Sequence, residues 1–407
     1  MVSATTFGMC RVTFLLAVVG LLMATGCLGA RLVNLECDKS LKQQVEKAKA
    51  NSKLVADPKC RWETSEEINI NRPMTINGIN VTLKKGVGKT AIFAIRAENV
   101  VMQDFVLTGN NGTVDWLDRE SLLLAHAGKF IIQRGVFKKA SKNGVTVRPD
   151  RKNPVNIVGG ILRDLVGKKN RRDLASITTT VVDDKLYTSS GIVAEHLEAF
   201  DQPERGTIEV TDGAWGITIR DIYAKNCLYA VDIQDHDQHK NGVVKDVQIS
   251  DVLAEDSTYA VRSETFMNGH SDITIKKVQA KNCMNAVLMD RIKRLKIRDV
   301  HIVNGRNEST QVDIANSRYV TLRDLKFSSG VGRSSAVMLR ESTNVNMKNI
   351  VLAKDTDFKF GITVNSTQTM EKAFRTLTFK NNDLKAATKK EVRYLKWHKP
   401  GEEPKSR

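Results

Sequence analysis

The densest run of chemically capable side chains is Gln234-Asp-His-Asp-Gln-His-Lys240. Asp232 stands just before it, Glu195 and His196 lie upstream, and Arg262 and Glu264 follow. These residue types admit two kinds of chemistry. Paired carboxylates, Asp232 with Asp235 or Asp235 with Asp237, can share acid and base work in hydrolysis. Alternatively, a cation can neutralise a substrate carboxylate, which acidifies the proton beside it so that a neighbouring base removes it. Asp235, Asp237 and Glu264 are hard oxygen donors of the sort that hold Ca²⁺. His236 adds a group that exchanges protons near neutral pH. Arg148, Arg291 and Arg340, with Glu195 and His196, are the candidates for gripping an anionic substrate. Each feature also has a plainer reading. A polar run between strands is often a solvated turn, and an exposed Asp–Arg pair is worth only about 0–1 kcal/mol.

What would position these residues is a repeat between Ile217 and Ser366. Short β-rich triplets recur at Ile217-Thr-Ile219, Val247-Gln-Ile249, Ile273-Thr-Ile275, Leu295-Lys-Ile297, Val320-Thr-Leu322 and Val345-Asn-Met347. Each is followed by a second strand-like piece, such as Val252-Leu-Ala, and by a third, such as Ala230-Val-Asp-Ile or Ala260-Val-Arg-Ser. Short strands repeating every 20–30 residues or so, with no helical period between them, make a solenoid. Three strands per unit make it a parallel β-helix of about ten rungs. Alternation along a strand sends Val231, Val261, Val287, Val312, Val337 and Ile362 inward as one column. Asp232 and Arg262 then fall next to each other on the outward face. Asn226, Asp256, Asn282 and Asn304 mark the corner after the second strand, where a left-handed backbone suits Asn and Asp.

This pattern resembles the pectin lyase-like superfamily of right-handed parallel β-helices over roughly residues 65–370. The resemblance implies an all-β, right-handed, single-stranded parallel β-helix, and many members act on acidic polysaccharides. Its lyases imply an Arg or Lys base. Arg262 is the first choice here, with Lys240 in reserve. The polygalacturonase branch carries Asn-Thr-Asp, Asp-Asp, Gly-His-Gly and Arg-Ile-Lys motifs. Gly269-His-Ser271 and Arg291-Ile-Lys293 are faintly similar, but Asn-Thr-Asp is missing and Asp183-Asp184 falls in a polar stretch. The match is read as chance, and His270 as a turn residue.

Residues 1–30 read as a signal peptide, with Arg11 ahead of an apolar run from Val12 to Met23 that is short for a membrane span. Cys27 would be the lipidated residue if Ala24-Thr-Gly-Cys27 is a lipoprotein box. Residues 31–66 read as an N-terminal cap with a helix over Ser40–Ala50, residues 67–380 as the β-helix, and 381–407 as a charged tail. Between Gly167 and Thr211 one rung is interrupted by about 35 extra residues, including Lys168-Lys-Asn-Arg-Arg172, and its third strand is expected at Gly191-Ile-Val-Ala194. Such an insertion would build a binding face. Of six cysteines, Cys37 and Cys60 are the natural disulfide in an exported protein. Cys227 and Cys283 share a column two units apart, about 9.6 Å at the usual strand spacing. That exceeds the disulfide limit of roughly 7 Å, so they should be buried thiols. Sequons at Asn80, Asn111, Asn307 and Asn365 would accept glycans in a eukaryotic host.

The formal charge of +17 favours an acidic partner in an exported protein. Nucleic acid is not expected, since no nucleic-acid motif is present. The reading favoured by these features is a secreted or cell-surface monomer, without a transmembrane span, that cleaves a uronic-acid polysaccharide by β-elimination, with Ca²⁺ as the metal its acidic turn would take. The alternatives are a non-catalytic glycan-binding or adhesin solenoid, and a glycoside hydrolase or uronate epimerase.

Overall fold

The structure, a computed structural model, describes residues 31–396 apart from 88, 111–119, 237–241, 266–267, 307–309 and 388–389. The leader and Cys27 lie outside those residues, as do Asp237, His239, Lys240, Asn111 and Asn307. The rest is a right-handed parallel β-helix of about twelve turns. The stack is somewhat longer than the repeat predicts because it starts earlier and ends later. Leu32–Leu35 pairs with Ser52–Ala56, and Ser52–Ala56 with Met74–Asn77. At the other end Lys390–Lys396, read from sequence as tail, pairs with Thr356–Ser366.

The first and second strands of a rung run as one bent strand, for example Lys245–Glu255 and His270–Lys281. The bend needs one residue in the left-handed region: Asp221, Asp251, Lys277 and Asp299 have φ of 54°, 56°, 54° and 57°. The third strand is separate, as in Gly206–Thr211, Tyr229–Gln234 and Tyr259–Glu264. The corner before it uses the predicted residues: Asn226, Asp256, Asn282 and Asn304 have φ between 50° and 54°. Their side chains bond from rung to rung, Asn226 Nδ2 to Asp201 Oδ1 at 2.8 Å and Asn282 Nδ2 to Asp256 Oδ1 at 3.2 Å. The hydrophobic interior is one continuous cluster, and the column Val231, Val261, Val287, Val312, Val337 and Ile362 is wholly buried within it. Stacked β-branched residues fill this interior without a helix because each rung presents the same shape to the next.

The presumed insertion is mostly regular structure. Gly191–Ala194, expected as a third strand, is instead a first strand, pairing with Gly160–Leu162. The true third strands are Ala175–Ile177 and Gly206–Thr211. What is added is a small antiparallel hairpin, Thr180–Val182 with Lys185–Tyr187, whose tip is Asp183-Asp184. The sequence misleads because Ala175-Ser-Ile177 is short and polar, so the next apolar triplet is mistaken for it.

At the N-terminal end the helix is shorter than expected, Leu41–Lys47, capped by Ser40 and burying Leu41 and Val45. Glu46 accepts a hydrogen bond from the Asn69 backbone N–H at 3.1 Å. Cys37 and Cys60 are disulfide-bonded, and Cys227 and Cys283 are free and buried. Ser257 sits between the two thiols in the column, donating its hydroxyl to Glu255 O while accepting from Cys227 N.

Candidate active site

The parallel register decides which polar residues meet. Ser176 pairs with Glu209, Glu209 with Asp232, and Asp232 with Arg262, so four successive rungs line up on the outward side of the third strand. Outward does not mean exposed here: Asp232 is 0% and Glu209 3% accessible. Buried charges must be paired, and these are. Arg262 grips Asp232 with two bonds, Nε to Oδ1 at 3.1 Å and Nη2 to Oδ2 at 2.6 Å. Its guanidinium also lies over the rings of Tyr229 and Tyr259, and its Nη1 is 3.1 Å from Glu264. Arg205 Nη1 donates to Glu209 Oε1 at 2.9 Å and to Gln234 Oε1 at 3.0 Å. Ser176 Oγ donates to Glu209 Oε2 at 3.1 Å. Beneath them the Tyr229 hydroxyl donates to Asp173 at 2.7 Å. Burial pushes the Asp232 carboxyl up to about 6, although Arg262 pulls the other way. Burial, with the Glu209 charge behind it, also drives Asp173 well upward.

The second half of the site is at the ends of these strands. His236 follows Gln234, and its backbone N–H donates to Asp212 Oδ1 at 2.7 Å while its ring Nδ1 lies 3.0 Å from Oδ2. Thr178 and Thr211 hydroxyls also donate to that carboxylate, at 3.2 and 3.0 Å. The hydrogen bond to Asp212 raises the His236 pKa, against the opposing effect of burial. For Asp212 burial pushes upward, but the His236 bonds prevail and hold it below the ordinary carboxylate value. The pairing favours the charged form of both groups, and the His236 side chain keeps 36% of its surface open to solvent. An imidazole oriented by a carboxylate and still reachable from outside can give up or take a proton.

Several expected members do not join. Glu195 and His196 lie on another face, at the bend of Ser189–Phe200. Glu195 is buried against Arg220, 2.6 Å from its Nε, and against Arg163 at 3.7 Å. His196 stands between Asp164 and Asp221 at 3.3 and 3.2 Å. Sequence alone misplaces both because it assigns Gly191–Ala194 to a third strand, whereas that segment is a first strand. Arg148, Arg291 and Arg340 lie on the same side but on other rungs, each beside a carboxylate: Glu120 at 3.0 Å, Asp290 at 3.6 Å and Asp313 at 2.9 Å. Asp235 is buried, accepting from the Asn268 N–H at 2.8 Å. Glu264 is taken up by Gln234 Nε2 at 3.1 Å and by Arg262. Asp237, the third ligand expected for Ca²⁺, lies outside the described residues; among the described residues no group of three or more His, Cys, Asp or Glu could hold a metal. His270, expected in a turn, instead opens the strand His270–Lys281, where it pairs with Ile292 and is buried; burial takes its pKa down to about 4.

Arg262, expected as a base, is bound by two hydrogen bonds as the counter-ion of Asp232. Burial disfavours its charge, but Asp232 more than compensates and raises its pKa further. The residues missed in sequence are Asp173, Ser176, Arg205, Glu209, Asp212 and Tyr229. Two of them, Glu209 and Asp212, were legible in principle: Ile208-Glu-Val-Thr-Asp212 has the same alternation as Val231-Asp-Ile-Gln-Asp235, but it was assigned to an insertion.

Tyr229 also depends on what lies beneath it. A Cβ on Gly206 would run into the Tyr229 carbonyl and ring. Gly206→Ala should therefore destabilise the fold by about 1–3 kcal/mol and displace the tyrosine under Arg262. Urea unfolding checks the first effect, and an unchanged midpoint would contradict it.

No protein-family model matches the sequence and no curated protein matches it. Solved structures do match in fold. The catalytic domain of a GH87 α-1,3-glucanase with nigerose superposes with a TM-score of 0.52 at 12% identity, covering 89% of this chain and 66% of that domain. An aspartate-to-alanine variant of the domain with tetrasaccharides gives 0.53, with the same identity and coverage. What these structures share with this chain is the fold, a parallel β-helix. The A-module of a mannuronan C-5 epimerase from Azotobacter vinelandii also matches, with a TM-score of 0.46 at 12% identity over 88% of this chain and 90% of that one. This chain spans 66% of the length of the glucanase domain. Among the described residues no helix is long and apolar enough to cross a membrane.

Proposed function

We propose that this chain is an exported enzyme that cleaves a polysaccharide by acid–base chemistry at the patch formed by Glu209, Asp212, Asp232 and His236. The observation that carries this reading is the Asp212–His236 pair. It supplies an imidazole oriented by a carboxylate that favours its protonated form, on adjacent rungs, beside the buried pair Glu209 and Asp232. In the hydrolytic form, His236 protonates the leaving oxygen and Asp212 positions it. Glu209, which keeps a small exposed edge, activates water or stabilises the positive charge developing on the sugar, while Asp232, closed to water, stays the counter-ion of Arg262. Support for a glycan substrate comes from the fold shared with the glucanase, which is analogy at the level of fold. An acidic glycan is favoured by the charge of +17, and export by the Cys37–Cys60 disulfide.

Elimination from a uronic-acid polymer is the second reading, favoured by the same charge. Its base would be His236 after proton loss, since Arg262 is committed to Asp232. The experiment is a product assay on pectate, alginate, glucuronan, sulfated galactan and α-glucan, with and without Ca²⁺. New reducing ends without the ultraviolet absorbance of an unsaturated uronide establish hydrolysis. Absorbance establishes elimination, and its dependence on Ca²⁺ would establish a metal requirement. Binding without either product identifies a glycan-binding solenoid and overturns the enzymatic reading.

A further inference from the structure

The basic stretch Lys168-Lys-Asn-Arg-Arg172 contributes only Arg172 to the patch, where its Nη2 is 4.0 Å from Glu209. The lysines point elsewhere. Lys138 pairs in register with Lys168, and Lys168 with Phe200, at the ends of the second strands. Lys139 and Lys169 take the corner one residue on, with φ of 53° and 54°. In the following rungs that corner belongs to Asp201, Asn226, Asp256 and Asn282, whose side chains bond across rungs. Just before the corner, the later rungs alternate in charge, with Lys281 3.0 Å from Glu255. Lysine makes no such ladder, and a left-handed backbone suits it less well than Asn or Asp.

The result is four exposed ammonium groups on two rungs about 4.8 Å apart. None of the four forms an ion pair among the described residues, whereas nearby Arg134 is bonded to Asp104 at 2.7 Å. The four lysines line a shallow groove with Phe200 and Asp201. Phe200 is half-buried and steadied by an edge-to-face contact with Tyr223, centroids 5.5 Å apart. Unneutralised like charges on one surface repel, and an anion relieves that repulsion. An aromatic face beside them adds an apolar platform of the kind a sugar ring can cover.

We propose that this groove is a binding subsite for an anionic glycan strand, separate from the acid–base patch and gripping carboxylate or sulfate groups through Lys138, Lys139, Lys168 and Lys169. The Lys168–Arg172 segment leads from this groove to the Glu209 edge of the patch, so a chain held here is delivered toward it. Only the ligand class rests on the function proposed above. The readout is retention and not turnover, so the two ideas fail separately.

The test is affinity for immobilised polygalacturonate and for sulfated galactan over a salt series. The variant Lys138→Ser/Lys139→Ser/Lys168→Ser/Lys169→Ser is compared with Lys47→Ser/Lys49→Ser/Lys53→Ser/Lys59→Ser, which removes the same charge from the N-terminal end. The groove variant should lose about tenfold or more in affinity at low salt and show a flatter salt dependence. The control should keep most of its binding. Whichever polymer shows the larger loss tells carboxylate from sulfate recognition. Equal losses in both variants, equal retention of the wild type on a neutral glucan, or stronger groove-dependent capture by vesicles of anionic lipid would each overturn the proposal. All eight lysines are exposed, and matching thermal melts would confirm that the variants are folded.

Discussion

Replacing Arg262 by alanine is expected to destabilise the protein by about 3–5 kcal/mol, because it removes the hydrogen-bonding partner of a buried carboxylate and leaves only the Arg205 guanidinium, 3.8 Å away, to face it. Asp232 has no access to water, and both its oxygens are bonded to this one guanidinium. The guanidinium also covers the rings of Tyr229 and Tyr259, so packing is lost along with charge. Truncating one partner of a buried pair costs more than the pair contributes. Asp232→Leu/Arg262→Met, which removes both charges at similar volume, should therefore recover most of the loss. Urea unfolding of the two single variants and the double variant gives the coupling directly. A purely catalytic arginine would leave the unfolding midpoint where it is.

The effect should depend on pH with a definite sign. Asp232 titrates near 6 in the folded protein, above its ordinary value of 3.8. Its contribution to stability is thus fully present below about 4 and is lost as pH rises through about 6. Arg262 limits that rise, so the deficit of Arg262→Ala should grow between pH 4 and 7. A deficit constant across that range would mean that Asp232 is not the stranded group.

Removing the His236 imidazole is expected to lower turnover by about 10²–10⁴-fold with the fold intact, the usual weight of a general acid or base. The fold should survive because His236 is partly open to solvent and lies beyond the end of its strand. Asp212→Asn provides the sharper measurement. Asp212 raises the His236 pKa, so amide replacement lowers it. If the protonated imidazole is the acid, activity falls as pH rises through that pKa, and the alkaline limb of the rate profile must move to lower pH. A merely structural Asp212 would lower activity at every pH without moving the limb. If His236 acts instead as a base, the limb that moves is the acidic one, which separates elimination from hydrolysis independently of the products.

The fold was largely legible because a β-helix repeats its own instructions. Val231, Val261 and Val287 read as one column in sequence and are one buried column in the structure. The corner residues Asn226, Asp256 and Asn282 were readable for the same reason, since a left-handed corner selects few side chains. The site was legible only in part. Asp232 next to Arg262 followed from the alternation of two well-marked strands. Glu209 and Asp212 did not, because the hairpin Thr180–Tyr187 displaced the repeat and the weak triplet Ala175-Ser-Ile177 gave no strong strand signal. One misplaced strand also carried Glu195 and His196 onto the wrong face.

The sequence by itself determined the architecture, the cysteine pairing, the inward columns and the strong positive charge, all of which depend on local pattern or on sums over the chain. Only the tertiary structure decided that the outward face of the third strand is buried at Glu209 and Asp232. Burial there turns Arg262 from a candidate base into a bound counter-ion. It likewise decided that Asp212 meets His236 and that four lysines on two rungs form no ion pair among the described residues. Those outcomes depend on register between strands 20 to 30 residues or so apart, and in a parallel stack register is set by every rung at once.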